Sequence, residues 1–170
     1  MTKNHFIESV KEGDAAENLF IFEAERRGYF IERSTKYENI NNHIDCWILK
    51  NHKRVSIDVK ARKRLTRNNA KYSDDFIWIE FKNVAGKKGW INGDQDIIAF
   101  EVYNAFILVN RLELLDLLMR TINMDAPFVE SPRYALYRLY QRKGRLDLIT
   151  KIKKEDLFRV NHRVWYKKNY

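Results

Sequence analysis

The chain has 170 residues, 45% hydrophobic and 14% aromatic, enough to bury one core and the right length for one domain, or one domain plus a short appendage. Lys and Arg number 32 against 23 Asp and Glu, a formal net charge of +9, and no apolar run approaches a membrane span. Cys46 stands alone and no basic-then-apolar leader opens the sequence, which excludes a disulfide framework and a Cys-based zinc site and points to a reducing, cytoplasmic setting.

In chain order, Asp14 reads as an N-cap with Glu17 three residues on as the acid of a capping box, and Gly28 is placed to end that helix. A short strand follows over Tyr29–Glu32, then a polar connection through Ser34–Asn42. His43–Leu49 and Arg54–Lys60 both alternate, with Ile44, Cys46 and Ile48 on one face of the first and Val55, Ile57 and Val59 on one face of the second. Lys50-Asn51-His52-Lys53 makes a four-residue turn between them, so the pair is a hairpin. Phe76–Phe81, Ile97–Glu101, Ala105–Val109 and Ile149–Lys153 read as further strands, and residues 85–94, holding half of the six glycines, as a loop. Asn110 caps a helix through Ile122 with Glu113 as a second capping-box acid, and Ser131-Pro132 opens another helix running to Gly144. This order of helix, strands and helices is α/β (α+β): a mixed β-sheet with flanking helices.

The charge is unevenly placed. Residues 133–170 hold twelve Lys or Arg against three Asp or Glu, so the whole excess lies there and residues 1–132 are neutral. With Tyr134, Tyr137, Tyr140, Phe158, Trp165, Tyr166 and Tyr170 interleaved, that stretch suits a polyanion, since cations meet phosphates and aromatic faces stack on bases. A solvated helix face with a core-facing aromatic stripe has the same composition.

The hairpin carries the chemistry. If Leu49 pairs with Arg54, Asp45 lies opposite Asp58, and two carboxylates facing each other across a strand pair are destabilising unless a cation sits between them. Magnesium takes one or two carboxylates plus waters and phosphate oxygens. Lys60 shares the Asp58 face, where an ammonium holds an attacking water or screens charge on a phosphate. The bland alternative is a half-exposed strand face that happens to carry Asp, Ser and Lys.

Asp45 in HIDCWIL and Asp58-Val59-Lys60 in VSIDVKARKR resemble the motifs of the PD-(D/E)XK nuclease superfamily, in which a helix is followed by a β-hairpin with Asp on its first strand and Asp/Glu-x-Lys on its second. Within that superfamily the short helix–strand–hairpin opening looks most like the archaeal-type and phage Holliday junction resolvases. The resemblance spans roughly residues 14–110 and departs from the pattern at Ile44, where a Pro commonly precedes the first Asp. It implies a restriction-endonuclease-like core over residues 1–122, with 123–170 as a basic C-terminal extension packed on the same domain. It further implies a Mg²⁺-dependent DNA endonuclease in which Mn²⁺ substitutes, with Asp45, Asp58 and the Val59 carbonyl as metal ligands, Lys60 orienting the water and Glu17 supporting the site. A branched-DNA substrate would imply a homodimer; duplex and single-stranded DNA are the other substrates it leaves open.

Other residues stand near this pattern. Arg62, Lys63, Arg64 and Arg67 follow the Asp-x-Lys strand, and Lys87 and Lys88 lie in the glycine loop, so all six are expected on the nucleic-acid backbone. Gln95 is a further candidate to meet substrate or water, His43 is expected across from Lys60, and Asp94, Asp96 and Glu80 are additional acids. The glycine loop lacks a Walker A lysine-serine/threonine pair, which argues against a nucleotide cofactor. The rival readings are a non-catalytic nucleic-acid-binding protein and a phage or host protein–protein adaptor.

Overall fold

The computed structural model describes residues 3–63 and 72–168, with side chains from residue 11 onward. Helix α1 (Lys3–Arg26) leads into strand β1 (Phe30–Arg33), a π-helical turn at Glu38–Asn42, and the hairpin β2 (Cys46–Lys50) and β3 (Lys53–Lys60). Strand β4 (Phe76–Lys82) and a 3₁₀ turn at Trp90–Asn92 precede β5 (Ile97–Glu101), β6 (Ala105–Asn110) and helix α2 (Arg111–Thr121). Strands β7 (Leu148–Lys153) and β8 (His162–Tyr166) complete the chain. Among the described residues six strands form one mixed sheet in the order β1-β2-β3-β5-β6-β8, with only the β3–β5 pair parallel, while β4 and β7 form a separate antiparallel ribbon. Among the described residues no helix is long and apolar enough to cross a membrane.

Three layers result. On one face of the large sheet α1 lays Ala16, Phe20 and Ala24, one helical turn apart, over Ile57, Val59, Phe106 and Leu108. Phe20 stacks on Trp165 and meets Phe106 edge-on, each with ring centroids 5.4 Å apart. It is wholly buried, so Phe20→Ala would cost about 3–5 kcal/mol. The opposite face carries Ile98, Phe100 and Ile107 against α2 (Leu114, Leu118) and the ribbon (Ile79, Ile152). Cys46 is buried among the α1-side residues, and burial together with Asp45 pushes its thiol up to about 12, so it is a core residue and no nucleophile at neutral pH.

Several local expectations hold. Gly28 takes φ +77° and ends α1 in a Schellman motif, its N–H donating to Glu25 O and that of Tyr29 to Ala24 O. Asn110 caps α2, its side chain accepting from Glu113 N at 3.0 Å. Leu49 does pair with Arg54.

Others are corrected. Helix α1 begins eleven residues before Asp14, at Lys3; no proline interrupts Lys3–Gly13, and a lone glycine in a helix costs only about 1 kcal/mol. Asp14 is therefore interior and Glu17 closes no capping box. Glu113 does not reach back to its own cap; its carboxylate accepts from Asn161 N at 2.7 Å, joining α2 to the start of β8. The β2–β3 turn has two residues rather than four, Asn51 and His52 both at positive φ as a type I′ turn requires, without changing the register. The helix expected from Ser131 stops after Pro132–Tyr134. Tyr137 turns to φ 53° and donates to Lys151 O, and Tyr140 exchanges hydrogen bonds with Ile149, so the edge of β7 claims this backbone. The basic C-terminal stretch thus supplies strands β7 and β8 and a 3₁₀ helix at Lys154–Arg159 rather than an α-helix.

Candidate functional site

The carboxylates meet where β2 peels away from β3. Their ladder ends at Cys46↔Ile57, while β3 runs on through Lys60, paired on its other side with β5. Asp45 lies one residue before β2, its N–H on Ile57 O at 2.8 Å, so it is not the direct cross-strand partner of Asp58. It replaces the missing ladder bond instead: its Oδ2 accepts from Val59 N at 2.7 Å and its Oδ1 from the Asn39 side-chain amide at 2.7 Å. N–H and C=O of one strand residue point the same way, so the Val59 carbonyl faces the same gap.

Asp58 is 1% exposed. Lys60 Nζ ion-pairs with its Oδ1, and Gln95 Nε2 donates to its Oδ2 at 3.2 Å. Burial pushes the Asp58 carboxyl well above its ordinary range; Lys60 opposes that and Asp45 adds to it. For Lys60, burial works against the ammonium, but Asp58 and Asp45 outweigh it and hold its pKa above the usual value. The Trp90 ring completes the surround, its centroid 5.4 Å from Nζ.

Glu17 reaches this end of the sheet from α1. Burial, then repulsion from Asp45 and Asp14, raises its carboxyl to about 7 against the pull of Lys60 and Arg33. It makes no hydrogen bond among the described residues. Glu80, on β4, is also pushed up by burial and held back by Lys60.

Gln95 is positioned by loops. It is fully buried, its Nε2 also donates to Trp90 O at 2.7 Å, and Arg111 Nε holds its carbonyl at 2.8 Å. Its Oε1 is buried without a hydrogen-bond partner among the described residues. Asn39 and Arg111 escaped the sequence reading because they lie in a turn and at a helix start, where no periodicity marks a side chain that reaches across the fold; Trp90 belongs to the glycine loop expected beside the site.

The remaining expected residues scatter. His43 is not on the β2–β3 ladder opposite Lys60: it sits at φ 57° ahead of β2 with Nε2 3.3 Å from Lys88 O, while burial lowers its pKa and Lys60 and Asp45 are among the charges that act on it. Asp96 bridges β3 and β5, its Oδ2 accepting from Ser56 N and Oγ at 2.9 and 2.7 Å, and Asp94 accepts from the Asn42 amide at 2.7 Å. Arg62 is spoken for by Asp74, at 2.8 Å, and by the rings of Tyr72 and Tyr103, so it ties the chain together rather than offering a free cation. Lys63, Lys87 and Lys88 are exposed, Lys88 within 3.5 Å of Asp94, while Arg64 and Arg67 lie outside the described residues. A cavity of about 420 Å³ opens at the other end of the sheet, between the β2–β3 turn and Trp165, and shares no residue with this site.

The donor set suits a hard cation. Each oxygen of Asp45 and Asp58 has one protein donor and a lone pair to spare. Among the described residues no three His, Cys, Asp or Glu side chains form a closed metal cage. Magnesium does not require one, since one or two carboxylates with waters and phosphate oxygens hold it. No protein-family model matches the chain, and no curated protein or solved structure matches it either.

Proposed function

We propose that this chain is a Mg²⁺-dependent DNA endonuclease with a PD-(D/E)XK-type, restriction-endonuclease-like core. The observation that carries the reading is the buried Asp58–Lys60 pair beside Asp45 at a splayed strand end. A fold gains little from burying a carboxylate and an ammonium that apolar residues could replace. The order helix, strand, hairpin, with Asp45 leading the first hairpin strand and Asp58-Val59-Lys60 closing the second, agrees with the resemblance.

In this reading Asp45, Asp58 and the Val59 carbonyl hold Mg²⁺ or Mn²⁺. Bound there, the ion lowers the pKa of water and polarises the scissile phosphate. Lys60, braced by Asp58 and Trp90, orients the attacking water or a phosphate oxygen. Glu17, reaching this end of the sheet from α1 with no hydrogen bond among the described residues, supports the site through the metal or a water. Gln95 fixes the rotamer of Asp58. Lys63, Lys87 and Lys88 meet the DNA backbone.

The test is cleavage of labelled four-way junction, duplex and single-stranded DNA of one sequence, in Mg²⁺, Mn²⁺ or EDTA, with Asp58→Ala in parallel. Metal-dependent cutting lost in the variant is expected; paired nicks confined to the junction would make the enzyme a resolvase acting as a dimer. Equal cutting by Asp58→Ala would overturn the site. The second reading, a non-catalytic nucleic-acid-binding protein, draws on the fact that all four carboxylate oxygens already have protein donors. It requires binding with a steep salt dependence and no cleavage in any metal.

A further inference from the structure

We propose that the outward face of the β4–β7 ribbon is a stacking platform for an unpaired DNA strand, which it leads toward Lys60; this rests on the nuclease reading and gives its substrate a single-stranded segment beside the scissile bond. The ribbon is two-faced. Ile77, Ile79 and Ile152 point inward to the core. Alternation places Phe76, Trp78 and Glu80 of β4 on the other side, with Lys153 opposite Phe76 and Lys151 opposite Trp78. Phe76 is 39% exposed and Trp78 half-buried, and Lys151 Nζ stands 5.4 Å from the centroid of each ring.

Two flat rings two residues apart on one strand lie about 7 Å from each other, a step comparable to one nucleotide of an extended strand. A lysine between them and another alongside supply the cations that track a phosphate backbone. Aromatic faces interleaved with cations are what binds unpaired nucleic acid without regard to sequence, because every base presents a π-face. Paired DNA hides those faces.

The platform also points somewhere. Beyond Trp78 the next outward residue is Glu80, about 13 Å along the strand from Phe76. There the chain is tied to the site loop: Gly89 N donates to Phe81 O at 2.9 Å, and a Cβ on Gly89 would lie 2.3 Å from Glu80 O. Trp90, the next residue, carries its ring against Lys60. A strand laid over Phe76 and Trp78 therefore runs toward the carboxylates.

The experiment measures binding in EDTA, by fluorescence anisotropy of labelled oligo-dT and of a matched duplex, for wild type, Phe76→Ala, Trp78→Ala, Trp78→Phe and Lys151→Met. Thermal melts confirm that each variant folds. Each alanine variant is expected to weaken oligo-dT binding about tenfold or more and leave duplex affinity unchanged, while Trp78→Phe, which keeps a stacking ring, binds as wild type. Unchanged oligo-dT affinity in both Phe76→Ala and Trp78→Ala, or equal losses for oligo-dT and duplex, would overturn the platform. Because no cleavage occurs in EDTA, the two readings fail separately. Loss of oligo-dT binding on ring removal, in a protein that never cuts, supports the platform and refutes the nuclease; cutting that persists with ring-independent binding does the reverse.

Discussion

A Cβ on Gly93 would lie 2.2 Å from Oε1 of Gln95. It would also lie 2.9 Å from the Asn42 carbonyl and 2.9 Å from the His43 Cβ, so the glycine is what lets the loop close over the buried amide that holds Asp58. Gly93 has negative φ, so the requirement is one of space rather than of backbone freedom.

Gly93→Ala should therefore displace Gln95 and cost about 1–3 kcal/mol, the range for a buried hydrogen-bonding group left unpaired. Urea denaturation measures it. Gly13→Ala, where a Cβ meets nothing within 4 Å, should instead be neutral or stabilising by up to about 1 kcal/mol. Equal behaviour of the two variants would show that Gly93 is not packed as described.

The Asp58–Lys60 pair predicts a particular non-additivity. Lys60→Met strands a carboxylate that is 2% exposed and should cost about 3 kcal/mol. Asp58→Asn/Lys60→Met removes the stranded charge and should recover at least half of that loss. Additive single and double variants would mean that the two charges do not depend on each other.

The raised carboxyl of Glu17 fixes the sign of a pH dependence. Its folded pKa of about 7 stands above the ordinary 4.5, so between those values the folded state binds the extra proton and stability falls as pH rises through the window. Glu17→Gln should match wild type below about pH 4.5 and exceed it above pH 7. The excess should be about 1 kcal/mol once solvent screening at this half-exposed position is allowed for. Denaturation series at pH 4 and pH 8 in EDTA read the difference; a gain that is the same at both would remove Glu17 from the electrostatics of the site.

Metal binding can be detected without activity. An ion that binds only the folded state at ten times its dissociation constant stabilises by about 1.4 kcal/mol. Millimolar Mg²⁺ should raise the melting temperature of wild type and leave that of Asp45→Asn unchanged. An equal rise in both would move the ion away from Asp45.

What the amino-acid order determined by itself was local. Alternation and the Asn51-His52 turn specify the hairpin register, and that register puts Asp58 and Lys60 on one face, because a strand's side chains repeat every two residues. Gly28 and Asn110 likewise mark helix ends through backbone conformation and one side-chain acceptor, both decided within a few residues. Tertiary structure alone decided the rest. Asp45 left the ladder to satisfy the Val59 amide. Tyr137–Tyr140 gave up a helix for the edge of β7, and β8 found its place beside β6, where Trp165 fills the space over Phe20. Gln95 reached Asp58 across 37 residues of chain, through a gap that Gly93 leaves open. Such contacts join residues distant in sequence, and which of them form depends on how the layers pack, a quantity that no short window of residues contains.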